Sequence, residues 1–381
     1  MKALENYTLL ETEADLQAFD AAHQNIRWMS LDTEFIGEKR YRTLLCIIQI
    51  ATENGIYIFD VLQLPHIEPL LKLIQQPEVL VITHAGENDY KILYEQYQII
   101  PTNVFDTQIA AGFVGYKYPI SFGKLVEEEL GIYLNKSQTV TDWERRPMRT
   151  KQIKYALEDV IPLYDLWTAL QQQIDQLNRR DWVKEEMQKL ESSNYYQRDP
   201  NREALNHRQI NNLSLKEQAF LLRLYEWRRQ KAEERNHSKE MVLPKKNIGT
   251  ITRSLQMGIN GLKQNRRISD RFISRYGAAI LNLYEQRITE EEQKVLKEIK
   301  TPREIEPKED ICLELLYNFV QHRCLEQQVA PDLVLSRGAF KLMKYDPTYV
   351  EPTIQSGWRR QILGEELMNC FKNRQTLYVA N

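Results

Sequence analysis

Trp28-Met29-Ser30-Leu31-Asp32-Thr33-Glu34-Phe35 is the stretch on which the reading of this chain turns. A mostly apolar run leads straight into two acids separated by one residue. Side chains alternate along a β-strand, so Asp32 and Glu34 share a face, while Thr33 and Phe35 point the other way or flank them. Two carboxylates held side by side repel each other unless a cation stands between them. A solvated strand face would also carry two acids, but the apolar run before them is that of a central strand.

Working outward, residues 26–60 hold three apolar stretches, Ile26–Leu31, Leu44–Ala51 and Ile56–Phe59. Asn54-Gly55 between the last two is a hairpin signal. Val79–Thr83 is a further β-rich run. Helical periodicity predicts helices at Pro69–Gln75, Asn88–Tyr97, Asp106–Phe113, Ser121–Leu130 and Lys151–Gln176. Strands followed by helices make an α/β domain, and the hairpin makes its sheet mixed.

After about residue 177 the strand signals stop. Helical patterns follow at Asp181–Glu191, Leu213–Arg235, Lys246–Ser254, Ile259–Leu262 and Asp270–Glu285. A charged break at 304–310 precedes Ile311–Gln328, Ser336–Tyr345 and Gly357–Phe371. The two helical sets resemble each other, with aromatic pairs Tyr225/Trp227 and Tyr317/Phe319 in their long helices. Their spacing exceeds solenoid periods and reads as a duplicated domain. The expected organisation is an α/β domain over 1–200 and helical domains over 206–290 and 300–381.

The 381 residues carry a formal net charge of −2, unevenly spread. Residues 1–200 sum to −10, residues 201–290 to +9 and residues 291–381 to −1. An acidic segment beside a basic one suits a metal-binding domain joined to a nucleic-acid-holding one. The basic run is Lys245-Lys246, Lys263, Arg266-Arg267, Arg271 and Arg275, with Tyr276 interleaved. Such clusters bind phosphates without reading sequence, although a solvated helix face would look similar. The four cysteines form no CxxC pair and no histidine cluster has zinc-ligand spacing. No signal-peptide pattern and no apolar run of ~18 residues is present, so a cytoplasmic chain without a membrane span is expected.

Three further groups match the acids of the opening strand. Asp89 follows a strand and Gly86, where ligands bind in α/β sheets, although Asn88 and Asp89 would equally well cap a helix. Tyr155 and Asp159, four apart, share a helix face. A phenol with a pKa near ~10 is a poor base at neutral pH, which leaves it a water-positioning role. An aromatic core contact beside a surface acid would have the same spacing. Asp106 reads as a helix N-cap.

In this order, and with His84-Ala85-Gly86, Phe105-Asp106-Thr107-Gln108, Lys136, Thr141-Asp142-Trp143 and Arg146-Pro147, the chain resembles the tyrosine-containing branch of the DEDD exonuclease superfamily. More narrowly, it resembles the bacterial ribonuclease D family. Trp227–Arg235 resembles the start of a helicase-and-RNase-D C-terminal (HRDC) domain, and Ser356–Arg360 the close of a second. The resemblance implies a ribonuclease H-like exonuclease domain with a five-stranded mixed sheet, its fifth strand near Asn103–Phe105, followed by two all-α HRDC-type domains. It implies that Asp32, Glu34, Asp89 and Asp159 bind two Mg²⁺ or Mn²⁺ ions and that Tyr155 orients the attacking water. The reaction would be 3′→5′ hydrolysis releasing 5′-mononucleotides from RNA, tRNA precursors with single-stranded 3′ ends being the characteristic substrate. His84 and the backbone near Glu34 would lie by the terminal nucleotide. Phe35 would stack on a terminal base or sit in the core. No obligate protein partner is evident. A DNA exonuclease and a non-catalytic nucleic-acid-binding protein are the competing readings. The absence of a polymerase or helicase region argues against the first, and the intact acidic set against the second.

Overall fold

The computed structural model describes residues 6–134, 141–197, 199–299, 303–346 and 348–373; Lys136 lies outside them. Among the described residues are six strands: β1 (Thr8–Leu10), β2 (Trp28–Ile36), β3 (Leu44–Thr52), β4 (Gly55–Asp60), β5 (Leu80–Thr83) and β6 (Val104–Asp106). They form one mixed sheet in the order β1-β4-β3-β2-β5-β6. β3 and β4 make the expected antiparallel hairpin, with Thr52 opposite Gly55. Gly55 has φ 146°, a backbone region that side chains rarely enter. β5 pairs in parallel with β2 and β6. The strand missing from the expected five is β1, which pairs in parallel with β4 at the sheet edge. Three residues give too short a run for alternation to show.

The predicted helix Lys151–Gln176 is two helices, Thr150–Val160 and Leu163–Gln176. Pro162, which has no N–H to donate, stands between them. The helix Asp270–Glu285 has the predicted bounds.

The chain divides into two compact units. The first comprises Met1–Phe35, Leu45–Tyr196 and Arg303–Asn381. One apolar core runs through it, joining Met29, Leu31, Ile48 and Phe59 of the sheet to Phe113, Tyr317 and Trp358. The C-terminal helices are therefore part of the unit that contains the sheet. Trp358 is fully buried, with its ring 4.6 Å from that of Phe113. Glu186, also buried, accepts from Arg359 at 2.7 Å and from the Trp358 indole at 3.3 Å. Arg179 donates to the carbonyls of Phe113, Gln327 and Gln328.

The second unit comprises Ile36–Leu44 and Gln197–Pro302. Its long helix, Leu215–Glu234, opens with a capping box between Ser214 and Glu217. The 36–44 segment is tied into this unit: Arg42 pairs with Glu233 at 2.9 Å, and the Ser238 N–H donates to the Lys39 carbonyl. Helices start at Leu215, Lys239 and Lys245 here, and at Pro307, Pro331 and Arg337 in the first unit, the same sequence interval separating each pair. The likeness has a limit: Tyr225, Trp227 and Tyr317 are buried, but Phe319 is exposed.

Candidate active site

β2 outruns its neighbour. Its parallel pairing with β5 runs from Trp28↔Leu80 to Ser30↔Ile82, so Asp32 and Glu34 project beyond the last paired residues. At the same end, β5 turns through Ala85 and Gly86 into the helix Glu87–Tyr97, which carries Asp89 in its first turn. Ala85, rather than Gly86, adopts the left-handed conformation, at φ 58°. Gly86 is required for space, because a Cβ there would fall 2.5 Å from Thr83 Oγ1 and 2.8 Å from Thr83 Cβ.

Asp106 holds this turn. Its buried carboxylate caps the helix Thr107–Gly112, as the sequence suggests, accepting from the Gln108 and Ile109 N–H groups. It also accepts from the N–H groups of Ala85 and Gly86, at 3.2 and 2.9 Å. Two helix starts therefore share one carboxylate.

Asp32, Glu34 and Asp159 offer carboxylate oxygens within 4.8 Å of one another. Asp89 is outside that group. It is buried, and its Oδ1 accepts from the Thr33 hydroxyl. Burial first, then the charges of Asp89, Asp159 and Glu34, push the Asp32 carboxyl well above the usual carboxylate range. Burial, then Asp159 and Asp89, raise Glu34 to about 8. Burial raises Asp89 to about 7, against the Thr33 hydrogen bond, which lowers it. The Tyr155 phenol is raised by burial and then by Asp159, Glu34 and Asp32, and is bonded to Asp159.

One wall of the site is the segment before the Tyr155 helix. Trp143 is buried, with its ring 6.3 Å from that of Tyr155. Arg146 fixes this segment by pairing with Asp60, a fully buried carboxylate at the end of β4, and by donating to the Trp143 carbonyl at 2.7 Å. Gln152 donates to the Asp142 carbonyl at 3.0 Å. Within β3, the buried Gln49 donates to Asp32 Oδ2 at 2.5 Å.

Of the residues expected to contact substrate, Phe35 is 37% exposed and is not a core residue. His84 is half-buried, and both its ring nitrogens are engaged, with Thr107 Oγ1 at 2.9 Å and the Ile120 carbonyl at 3.0 Å. Its position is that of a brace between two loops. In the second unit Lys245, Lys246, Arg266, Arg267 and Arg271 are all exposed. The sequence reading missed Gln49, Thr33, Asp60 and the second role of Asp106. Gln49 alone left a signal, as the one polar residue in the stretch Leu44–Ala51.

The chain is similar to known proteins over most of its length. Residues 7–175 match the 3′-5′ exonuclease family and residues 217–284 the HRDC domain. The chain is 30% identical over 359 residues to ribonuclease D of Nitrobacter hamburgensis, covering 94% of this chain and 93% of that one. It is 28% identical to ribonuclease D of Gluconacetobacter diazotrophicus, covering 97% and 94%. The crystal structure of Escherichia coli RNase D shares the fold, with TM-score 0.83 at 23% identity over 97% of this chain and 99% of that one. The fold is that of a 3′-5′ exonuclease carrying an HRDC domain. The chain belongs to the ribonuclease D family.

Proposed function

We propose that this chain is a 3′→5′ exoribonuclease that releases 5′-mononucleotides from the 3′ ends of tRNA precursors and other structured RNAs in the cytoplasm. The observation that carries this reading is the meeting of Asp32, Glu34 and Asp159 within 4.8 Å. The ribonuclease D name of its relatives supports RNA as the substrate. Among the described residues, no helix is long and apolar enough to cross a membrane.

The donor set fits divalent cations. Carboxylate oxygens are the hard ligands that Mg²⁺ and Mn²⁺ take. Burial and then like charge raise Asp32 and Glu34, and a cation relieves the repulsion between them. Asp32, Glu34, Asp89 and Asp159 would hold two such ions. Bound there, they supply an acidified water and a counter-charge for the leaving 3′ oxygen. The Tyr155 phenol stays protonated and positions the water instead of acting as a base. Phe35 offers a face to an unpaired terminal base, a contact of ~1–3 kcal/mol. Lys245, Lys246, Arg266, Arg267 and Arg271 hold the phosphate backbone. The helices from Pro307 on form a second HRDC-type domain, a reading supported by the matching intervals between helix starts.

The test uses 5′-labelled single-stranded RNA and its DNA counterpart with Mg²⁺, Mn²⁺ or EDTA. Metal-dependent shortening of RNA by single nucleotides is expected, and its loss in Asp159→Ala. Equal or faster shortening of DNA would move the function to a DNA exonuclease. No shortening of either strand would leave a binding protein.

A further inference from the structure

We propose that Gln49 is a positioning residue for the metal site, whose buried amide fixes the carboxylate of Asp32 without neutralising it. The inference rests on the reading above that Asp32 holds a divalent cation.

Gln49 lies midway along β3, next to β2 in the sheet, between Ile48 and Ile50. It is fully buried, in a strand that is otherwise apolar from Leu44 to Ala51. A β-branched apolar side chain fits such a position better than an amide does. Nε2 donates to Asp32 Oδ2 at 2.5 Å, whereas Oε1 meets no hydrogen-bond partner. Leaving an amide oxygen buried and unpaired costs stability. Turning the amide round would set its oxygen against a carboxylate oxygen, which is worse. Among the described residues, the only hydrogen bond this side chain makes is therefore the one to Asp32.

An amide suits this task better than the alternatives. A lysine or arginine at 49 would put a fixed cation beside Asp32 and compete with a metal ion. A neutral N–H donor restrains one carboxylate oxygen and leaves the charge of the group and its remaining lone pairs for a cation. Such outer contacts to a ligand govern metal affinity through ligand orientation.

The test is calorimetric titration of Mn²⁺ into the EDTA-stripped full chain, with Gln49→Met and Gln49→Asn beside the wild type. Methionine keeps the length and removes the donor; asparagine keeps the amide and shortens the reach. Both are expected to raise the Mn²⁺ dissociation constant ~10–100-fold, Gln49→Met without lowering the metal-free melting temperature. Excess Mn²⁺ should restore RNA shortening with an unchanged KM for RNA. In an Asp32→Asn background, the Gln49 changes should add nothing further. If Gln49→Met fails to fold, Gln49→Asn decides alone. Affinity within twofold of wild type would overturn the inference. So would a loss of affinity in Gln49→Met that comes with a lowered metal-free melting temperature, since that is a packing effect. If the wild type binds no Mn²⁺ through Asp32 and Asp159, the proposed function itself fails. Wild-type binding that persists in both Gln49 variants refutes only this inference.

Discussion

The hydroxyl of Thr33 donates to Oδ1 of Asp89. The residue between the two acids of β2 thus holds the fourth carboxylate, which arrives from a different element. Thr33→Val keeps the branched shape and removes the donor. A hydrogen bond to a charged group contributes about 1.5–3 kcal/mol. Asp89 is raised to about 7, so it is ionised at pH 8.5 and neutral at pH 5. Urea unfolding of the metal-free protein should therefore show a larger loss in Thr33→Val at pH 8.5 than at pH 5. Equal losses at both pH values would count against a bond to the carboxylate.

Glu34 sets a second pH dependence. Its carboxyl lies at about 8 in the folded chain, against an ordinary value of 4.5. A raised carboxyl contributes stability below its unfolded value and loses it as pH rises through the folded one. Without metal, the melting temperature should fall between pH 5 and pH 8.5 more steeply in the wild type than in Glu34→Gln. Added Mg²⁺ should stabilise the wild type most at the upper end of this range. A stabilisation independent of pH would contradict the assignment.

Tyr155→Phe removes the phenol and keeps the ring beside Trp143. Misplacing the attacking water costs on the order of 10²-fold in rate. We expect kcat to drop by about that factor, with Mn²⁺ affinity and KM for RNA unchanged. Single-turnover RNA shortening measures the first quantity and calorimetry the second.

Reversing charge at Arg266 and Arg267 should weaken RNA binding and flatten its salt dependence. Each phosphate contact to a single strand adds ~0.7 to the slope of log affinity against log salt. Loss of two contacts lowers the slope by ~1.4. Filter binding between low and moderate salt, in EDTA, measures it; an unchanged slope would show that these arginines face solvent only.

Trp358→Ala opens a cavity beside Phe113 and Trp182. Such truncations of a buried aromatic cost ~3–5 kcal/mol. The melting temperature of the nuclease unit, followed by loss of Mn²⁺ binding on heating, should fall with it. A transition unaffected by the change would mean that the C-terminal helices do not support the sheet.

Much of this architecture can be read from local signals. The hairpin at Asn54-Gly55, the cap at Asp106 and the long helices each depend on residues a few positions apart. What stayed hidden depends on distant partners. Thr33 is an ordinary strand residue until Asp89 is brought to it, and Arg146 an ordinary cation until Asp60 is buried beneath it. The acids themselves were legible as a set, but sequence spacing does not tell that Asp89 stands outside the group formed by Asp32, Glu34 and Asp159. Nor does it tell that residues 36–44 pack with the helical unit rather than with the sheet on either side of them. Lys39 and Arg42 give no local sign of this, because their partners are almost two hundred positions away.

The core that joins Phe113 to Trp358 bears on how the enzyme comes into being. A ribosome makes the sheet and its acids before the helices that complete the same core. A nascent chain that has not reached Trp358 therefore carries the proposed metal ligands on an incomplete core. A chain cut short before Trp358 would leave Phe113 without the ring that packs against it, so chain length and completion of the sheet's core are coupled.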